Sequence, residues 1–135
     1  MPLPGAHWII ERLKELAVEW AKRQYEADNR REHALKSFLR ALNETEIYYG
    51  SLRDSGKDRD REEELSRDWM GVSHELRVVD AELASRCELK ARYWADPVGW
   101  SNEQLEESHI SIEEMRTALH HLLDKEDGSH HGLHN

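Results

Sequence analysis

Cysteine is nearly missing from the sequence. Cys87 is the single thiol in 135 residues, which excludes an internal disulfide framework and a multi-cysteine zinc site. Long apolar runs are missing too: no stretch approaches the ~18 consecutive apolar residues of a membrane span, and no apolar h-region follows the start. The expected protein is therefore soluble and cytoplasmic, with no membrane contact. Strand-like alternation never persists beyond a few residues, and no internal repeat is present. Gly-rich phosphate loops, Gly-x-Ser-x-Gly elbows and His-Glu-x-x-His helices are also absent. What is there is a hydrophilic chain of 15.9 kDa with mean hydropathy −0.90, 38% hydrophobic and 35% charged. At this size one domain can bury roughly two-thirds of its unfolded surface.

Positive charge is in short supply. Nineteen Lys and Arg stand against 28 Asp and Glu, a net charge of −9. The excess grows along the chain, from +1 over residues 1–53 to −4 over 54–100 and −6 over 101–135. Such a field repels nucleic-acid phosphate, whose binding depends on Lys and Arg contacts and counterion release, so direct DNA binding is not expected. It speeds encounter with a basic protein partner.

The apolar residues recur at helical spacing. Ile9, Leu13, Leu16 and Trp20 form one stripe, and Leu35, Phe38, Leu42, Thr45, Tyr49 and Leu52 form another. The polar stretch between them, with Asn29-Arg-Arg-Glu32 as a capping sequence, predicts two helices broken near Asp28. One continuous helix is the rival, since no Gly or Pro enforces a break, and it would leave an exposed stripe that calls for dimerisation. The Asp54-Ser55-Gly56-Lys57 segment reads as a turn. Leu65, Trp69, Val72, Leu76, Val79, Leu83 and Cys87 then follow in steps of four and three. They predict one long helix from about Asp60, its N-cap, to about Trp94, ended by Pro97. Ser101-Asn-Glu-Gln104 is a capping box that opens a last helix, with Trp100 placed to staple onto Leu105. Its stripe of Leu105, Ser108, Ile112, Met115, Leu119 and Leu122 runs to about Lys125, before a Glu126-Asp-Gly128 breaker. The expected fold is all-α, an antiparallel bundle of three to four long helices that dimerisation can complete. Residues 1–125 form its single domain and residues 126–135 a flexible His-rich tail.

Catalytic constellations are sparse. Glu106-x-x-His109 is a single copy of a motif that dimetal bundles need twice. Glu62-Glu63-Glu64, Glu106-Glu107 and Glu113-Glu114 lack the third Glu at the offset used by helical NTP pyrophosphohydrolases to hold magnesium. His109-x-x-x-Glu113 spans one helical turn and reads as surface rather than as a chelate. His130, His131 and His134 share a tail without preorganised geometry. No metal or cofactor is expected. Cys87, on the apolar stripe, reads as a buried structural thiol.

Arg116-Thr-Ala-Leu-His-His121 and Arg67-Asp-Trp-Met-Gly-Val-Ser-His74 resemble the Arg-x4–6-His motif of HEPN-type ribonucleases. That resemblance implies a dimeric helical bundle whose His moves a proton during attack by the RNA 2′-hydroxyl while the Arg holds the phosphate. The ribonuclease is the alternative reading. The leading one is a small, acidic, non-catalytic protein–protein interaction module: an adaptor, accessory subunit or inhibitor of a more basic partner. Tyr93, Trp94 and Trp100 are its expected aromatic anchors, and Glu103, Glu106, Glu107, Glu113 and Glu114 its acidic face. A homodimeric scaffold is a third reading.

Overall fold

The computed structural model describes the backbone of residues 6–134 and the side chains of residues 7–125. It is an all-α helical bundle, with no strand among the described residues. The helices are α1 (Ala6–Ser55), α2 (Arg59–Leu76), α3 (Ala81–Ala95), α4 (Asn102–Ser108) and α5 (Ile112–His134), with a 3-10 turn at Pro97–Gly99. The chain divides into two compact units, Met1–Glu32 and His33–Asn135.

α1 is one helix of 50 residues, so the expected break near Asp28 does not form. The polar stretch from Gln24 to His33 consists mostly of Gln, Glu, Ala and Arg, which are strong helix formers, and one Asn costs too little to end a helix. Among the described residues of the first unit the helix buries no side chain: Ile9, Leu13, Leu16 and Trp20 are all exposed. Local ion pairs lie along it, Arg12 to Glu15 at 3.2 Å and Lys14 to Glu11 at 3.6 Å among them.

The second unit holds the core. Phe38 and Leu42 of α1, Leu65, Trp69 and Leu76 of α2, Cys87 and Trp94 of α3, and Met115 and Leu119 of α5 pack into one cluster. α1 ends where Gly56, at φ +74°, donates its N–H to the Leu52 carbonyl at 3.2 Å. Only a residue free of a Cβ takes that left-handed turn without cost. Asp58, rather than Asp60, then caps α2, accepting from the Arg61 N–H at 3.2 Å.

The long helix expected from Asp60 to Trp94 is a helical hairpin instead. The Leu76 carbonyl accepts from both Val79 and Asp80 N–H groups, and the Asp80 carboxylate accepts from the Leu83 N–H at 3.0 Å to start α3. α2 and α3 approach each other closely because the facing residues are small. Ser66 donates to the Ala91 carbonyl and Ser73 to the Ala84 carbonyl, both at 2.7 Å. Asp80→Ala removes the cap and is expected to cost about 1 kcal/mol. Thermal unfolding followed by circular dichroism should show a midpoint roughly 5 °C lower, with Asp80→Asn close to wild type.

The last expected helix is also divided. The Ser101–Gln104 capping box forms, with both reciprocal bonds in place. α4 nevertheless stops after seven residues, where His109 adopts the left-handed conformation at φ 53°. Ser111 then accepts from the Glu114 N–H at 3.1 Å and opens α5. Met115, Leu119 and Leu122 of the expected stripe are buried. The α5 backbone passes the Glu126-Asp-Gly128 segment and continues to His134, since each Gly costs a helix only about 1 kcal/mol. The side chains of the His-rich tail, 126–135, lie outside the described residues.

Candidate interaction surface

Five aromatic residues gather where α1 and α3 end. Trp94 stands at their centre, with ring centroids 5.5 Å from Tyr48, 5.6 Å from Tyr49 and 4.9 Å from Tyr93. It is only 2% exposed, so this expected anchor faces the core. Tyr93 and Trp100 are half-buried and meet edge-on at 6.1 Å, and they supply the aromatic surface that solvent reaches.

Beneath them lies Lys90, 2% exposed, its ammonium 5.6 Å from the Tyr93 ring centre and 5.7 Å from that of Trp94. Burial lowers its pKa to about 8, against an opposing pull from the Glu114 carboxylate. Burial likewise raises the Tyr93 hydroxyl, and it pushes Tyr49 up to about 12. The Leu83–Cys87–Lys90–Trp94 spacing follows the core period, which is the sequence signal for a buried lysine that reading by residue type alone passes over. Cys87 is fully buried, and burial pushes its thiol up to about 12, which makes it a poor nucleophile.

Two arginines satisfy the carbonyls at helix ends. Arg59 on α2 donates to the Trp94 carbonyl at 3.0 Å and to the Ala95 carbonyl, satisfying the open end of α3. It also pairs with buried Glu62 at 3.1 Å. Glu62 accepts from the Tyr48 hydroxyl at 2.7 Å, and that hydroxyl accepts from the Asp58 N–H at 3.1 Å. Tyr48, Asp58, Arg59 and Glu62 thus satisfy one another, which is what makes the buried carboxylate tolerable. Arg86 on α3 does for α4 what Arg59 does for α3, donating to the His109 carbonyl at 2.7 Å.

The acids sit on α4 and the start of α5. Glu103, Glu106, Glu107 and Glu113 are exposed. α4 contains no buried residue. Glu114 differs from the other four in being half-buried. Burial would raise its carboxyl, but hydrogen bonds from His109 at 2.7 Å and Ser111 at 3.0 Å, with the charges of His109 and Arg86, bring it below its usual value. A cleft of about 420 Å³ runs beside these residues, lined by Glu82, Arg86, His109, Glu113 and His121 among others. With His109 in a left-handed turn between helices, neither Glu106-x-x-His109 nor His109-x-x-x-Glu113 shares a helix face. Among the described residues no group of three His, Cys, Asp or Glu is placed to hold a metal ion.

Of the two Arg/His pairs, His121 alone lines that cleft. Arg116 and His121 are both exposed on α5, about 140° apart around the helix, and Arg116 is ion-paired with Glu46 of α1. Arg67 and His74 are exposed on α2, on one face but separated by about 10 Å along the axis. No helix among the described residues is long and apolar enough to cross a membrane. Compared with protein-family models, with curated proteins and with solved structures, the chain matches none of them.

Proposed function

We propose that the chain is a small acidic protein-interaction module of the cytoplasm, non-catalytic, that engages a more basic protein through α4 and the aromatic edge before it. The observation that carries this reading is α4 itself. It buries no residue, so the core does not require it, yet both of its ends are built with care. The Ser101 capping box closes one end, and Arg86 closes the other through the His109 carbonyl. Three of its seven residues are acids, and half-exposed Trp100 immediately precedes its cap. A rigid acidic helix beside an aromatic edge supplies on-rate through its field and residence time through the ring.

The test is affinity capture from lysate at low and raised salt, with wild type beside Trp100→Ala and beside the triple variant Glu103→Gln, Glu106→Gln, Glu107→Gln. The expected result is a basic protein that elutes with salt, that both variants fail to retain, and far-UV circular dichroism unchanged from wild type. Capture that is equal in all three proteins would overturn the reading.

A further inference from the structure

Residues 7–32 of α1 are all exposed except Ala27 and Arg31, which are half-exposed. Ile9 at 51%, Leu13 at 60%, Leu16 at 44% and Trp20 at 65% exposure line one side of the helix in steps of four, three and four. That is the d-a-d-a spacing of a coiled-coil seam. The seam stops after Trp20 because the next d positions are Arg23 and Arg30.

The charges beside this seam say what covers it. Six basic and six acidic side chains cancel within residues 1–32, so the whole −9 belongs to residues 33–135. A basic partner drawn to the acidic surface has no electrostatic reason to stop here, whereas a second copy meets no repulsion. Antiparallel alignment about the Lys14–Glu15 bond sets Ile9 opposite Trp20 of the second copy and Leu13 opposite Leu16 of the second copy, each layer occurring twice. On one flank Arg12 then faces Glu19 of the second copy, twice over. On the other, Ile10 faces Ala17 of the second copy. Parallel alignment matches Arg12 with Ala17 and Glu19 with Gln24, so neither flanking charge next to the seam finds an opposite one. It also carries both acidic units to the same end, where they repel.

We propose that residues 9–20 form an antiparallel two-stranded coiled coil with the same residues of a second copy of this chain, held by four apolar layers and two reciprocal Arg12–Glu19 pairs. The pairing does not rest on the acidic surface at α4, and variants at Trp100 or Glu103 leave it intact. In the single chain Arg12 contacts Glu15 at 3.2 Å, an exposed pair that is readily exchanged. Four layers make a short seam, so the dimer is expected to exchange with monomer.

Sedimentation equilibrium of the full chain, at protein concentrations up to about 1 mM, should show mass rising from 15.9 kDa toward twice that value. Leu13→Asp with Leu16→Asp should remain monomeric. Both residues are exposed, so near-UV circular dichroism of the second unit should be unchanged. Arg12→Glu alone and Glu19→Arg alone should each raise the dissociation constant about tenfold, and the double swap should restore it. Because Cys87 is buried, Ile9→Cys and Trp20→Cys give clean handles for a short bis-maleimide, since Ile9 faces Trp20 of the second copy but lies about 16 Å along the axis from Ile9 of the second copy. The two variants mixed should cross-link to each other, while each alone stays largely single. A monomer at every concentration, including one that binds lipid vesicles instead, overturns the proposal. So does a dimer indifferent to the two Asp substitutions, or self-cross-linking of Ile9→Cys alone, which marks a parallel pair.

Discussion

Trp94→Ala is expected to cost about 4 kcal/mol and to lower the thermal midpoint by roughly 20 °C. Trp94 is 2% exposed and touches three tyrosine rings. The substitution therefore leaves a cavity in the middle of the cluster that ties α1 to α3, and it forfeits edge-on ring pairs worth up to about 1 kcal/mol each. Against a total stability on the order of 10 kcal/mol, that loss is severe. Trp94→Phe should cost much less, about 1 kcal/mol. It keeps a ring at the centre, and the indole N–H it gives up finds no acceptor among the described residues. Trp100→Ala should leave the midpoint within a few degrees of wild type, because its ring is only half-buried and meets Tyr93 edge-on. Calorimetry of the three variants separates the core ring from the surface ring. If Trp94→Ala melts like wild type while losing partner capture, Trp94 is an anchor after all and the core assignment fails.

Lys90→Met should stabilise the protein at pH 7, by about 2 kcal/mol, and should remove a rise in stability that wild type shows between pH 8 and 9. The lysine pKa falls from 10.5 to about 8 on folding, so between those values the unfolded chain holds the extra proton. Stability then climbs with pH, and below about pH 8 the full penalty of a buried charge remains. Cys87 acts in the opposite sense. Its thiol is raised from 9.0 to about 12, so stability is lost as pH rises above 9. The interval from pH 8 to 9 is where Lys90 acts with the least opposition. Thermal melts of wild type should gain about 1 kcal/mol, or roughly 4 °C, from pH 7.5 to 9. Lys90→Met has the length to fill the same space beside the Tyr93 and Trp94 rings without the charge, and its melts should lose the rise and fall slightly toward pH 9 as the unfolded Cys87 thiol ionises. Equal pH slopes in the two proteins would show that Lys90 does not titrate in this window.

The acidic surface and its aromatic edge were legible in part. Glu103, Glu106 and Glu107 follow Ser101 so closely that the capping box alone places them on one short helix, and that helix forms. Whether Tyr93 or Trp94 faces solvent was not legible. Neighbouring positions on a helix point about 100° apart, and both residues carry large rings near a helix end. Lys90 was hidden by its type, since a lysine counts as surface until its neighbours are known. Arg59 and Arg86 were hidden by distance: each caps a helix more than 20 residues away in sequence, and no local pattern records such a contact.

The sequence by itself determined that this chain is all-α, which residues of each stretch form the apolar stripe, that Cys87 is buried, that a turn follows Ser55, and that the helix carrying Trp94 ends before Pro97. These follow from short-range physics: periodicity, caps and forbidden backbone angles act within a few residues. Only the tertiary structure decided that residues 60–94 fold back on themselves while residues 6–55 do not. A four-residue turn leaves the three-and-four rhythm of a stripe unbroken, so Leu76, Val79 and Leu83 read as one helix although Asp80 starts a second. A polar stretch such as Gln24–His33 reads as a break although its propensities favour continuation. Rhythm records which side of a helix is apolar, and the choice between continuing and turning back rests on what that side finds to pack against. For Leu65 to Trp94 the partner is the chain's own core. Ile9, Leu13, Leu16 and Trp20 keep the same rhythm and stay exposed.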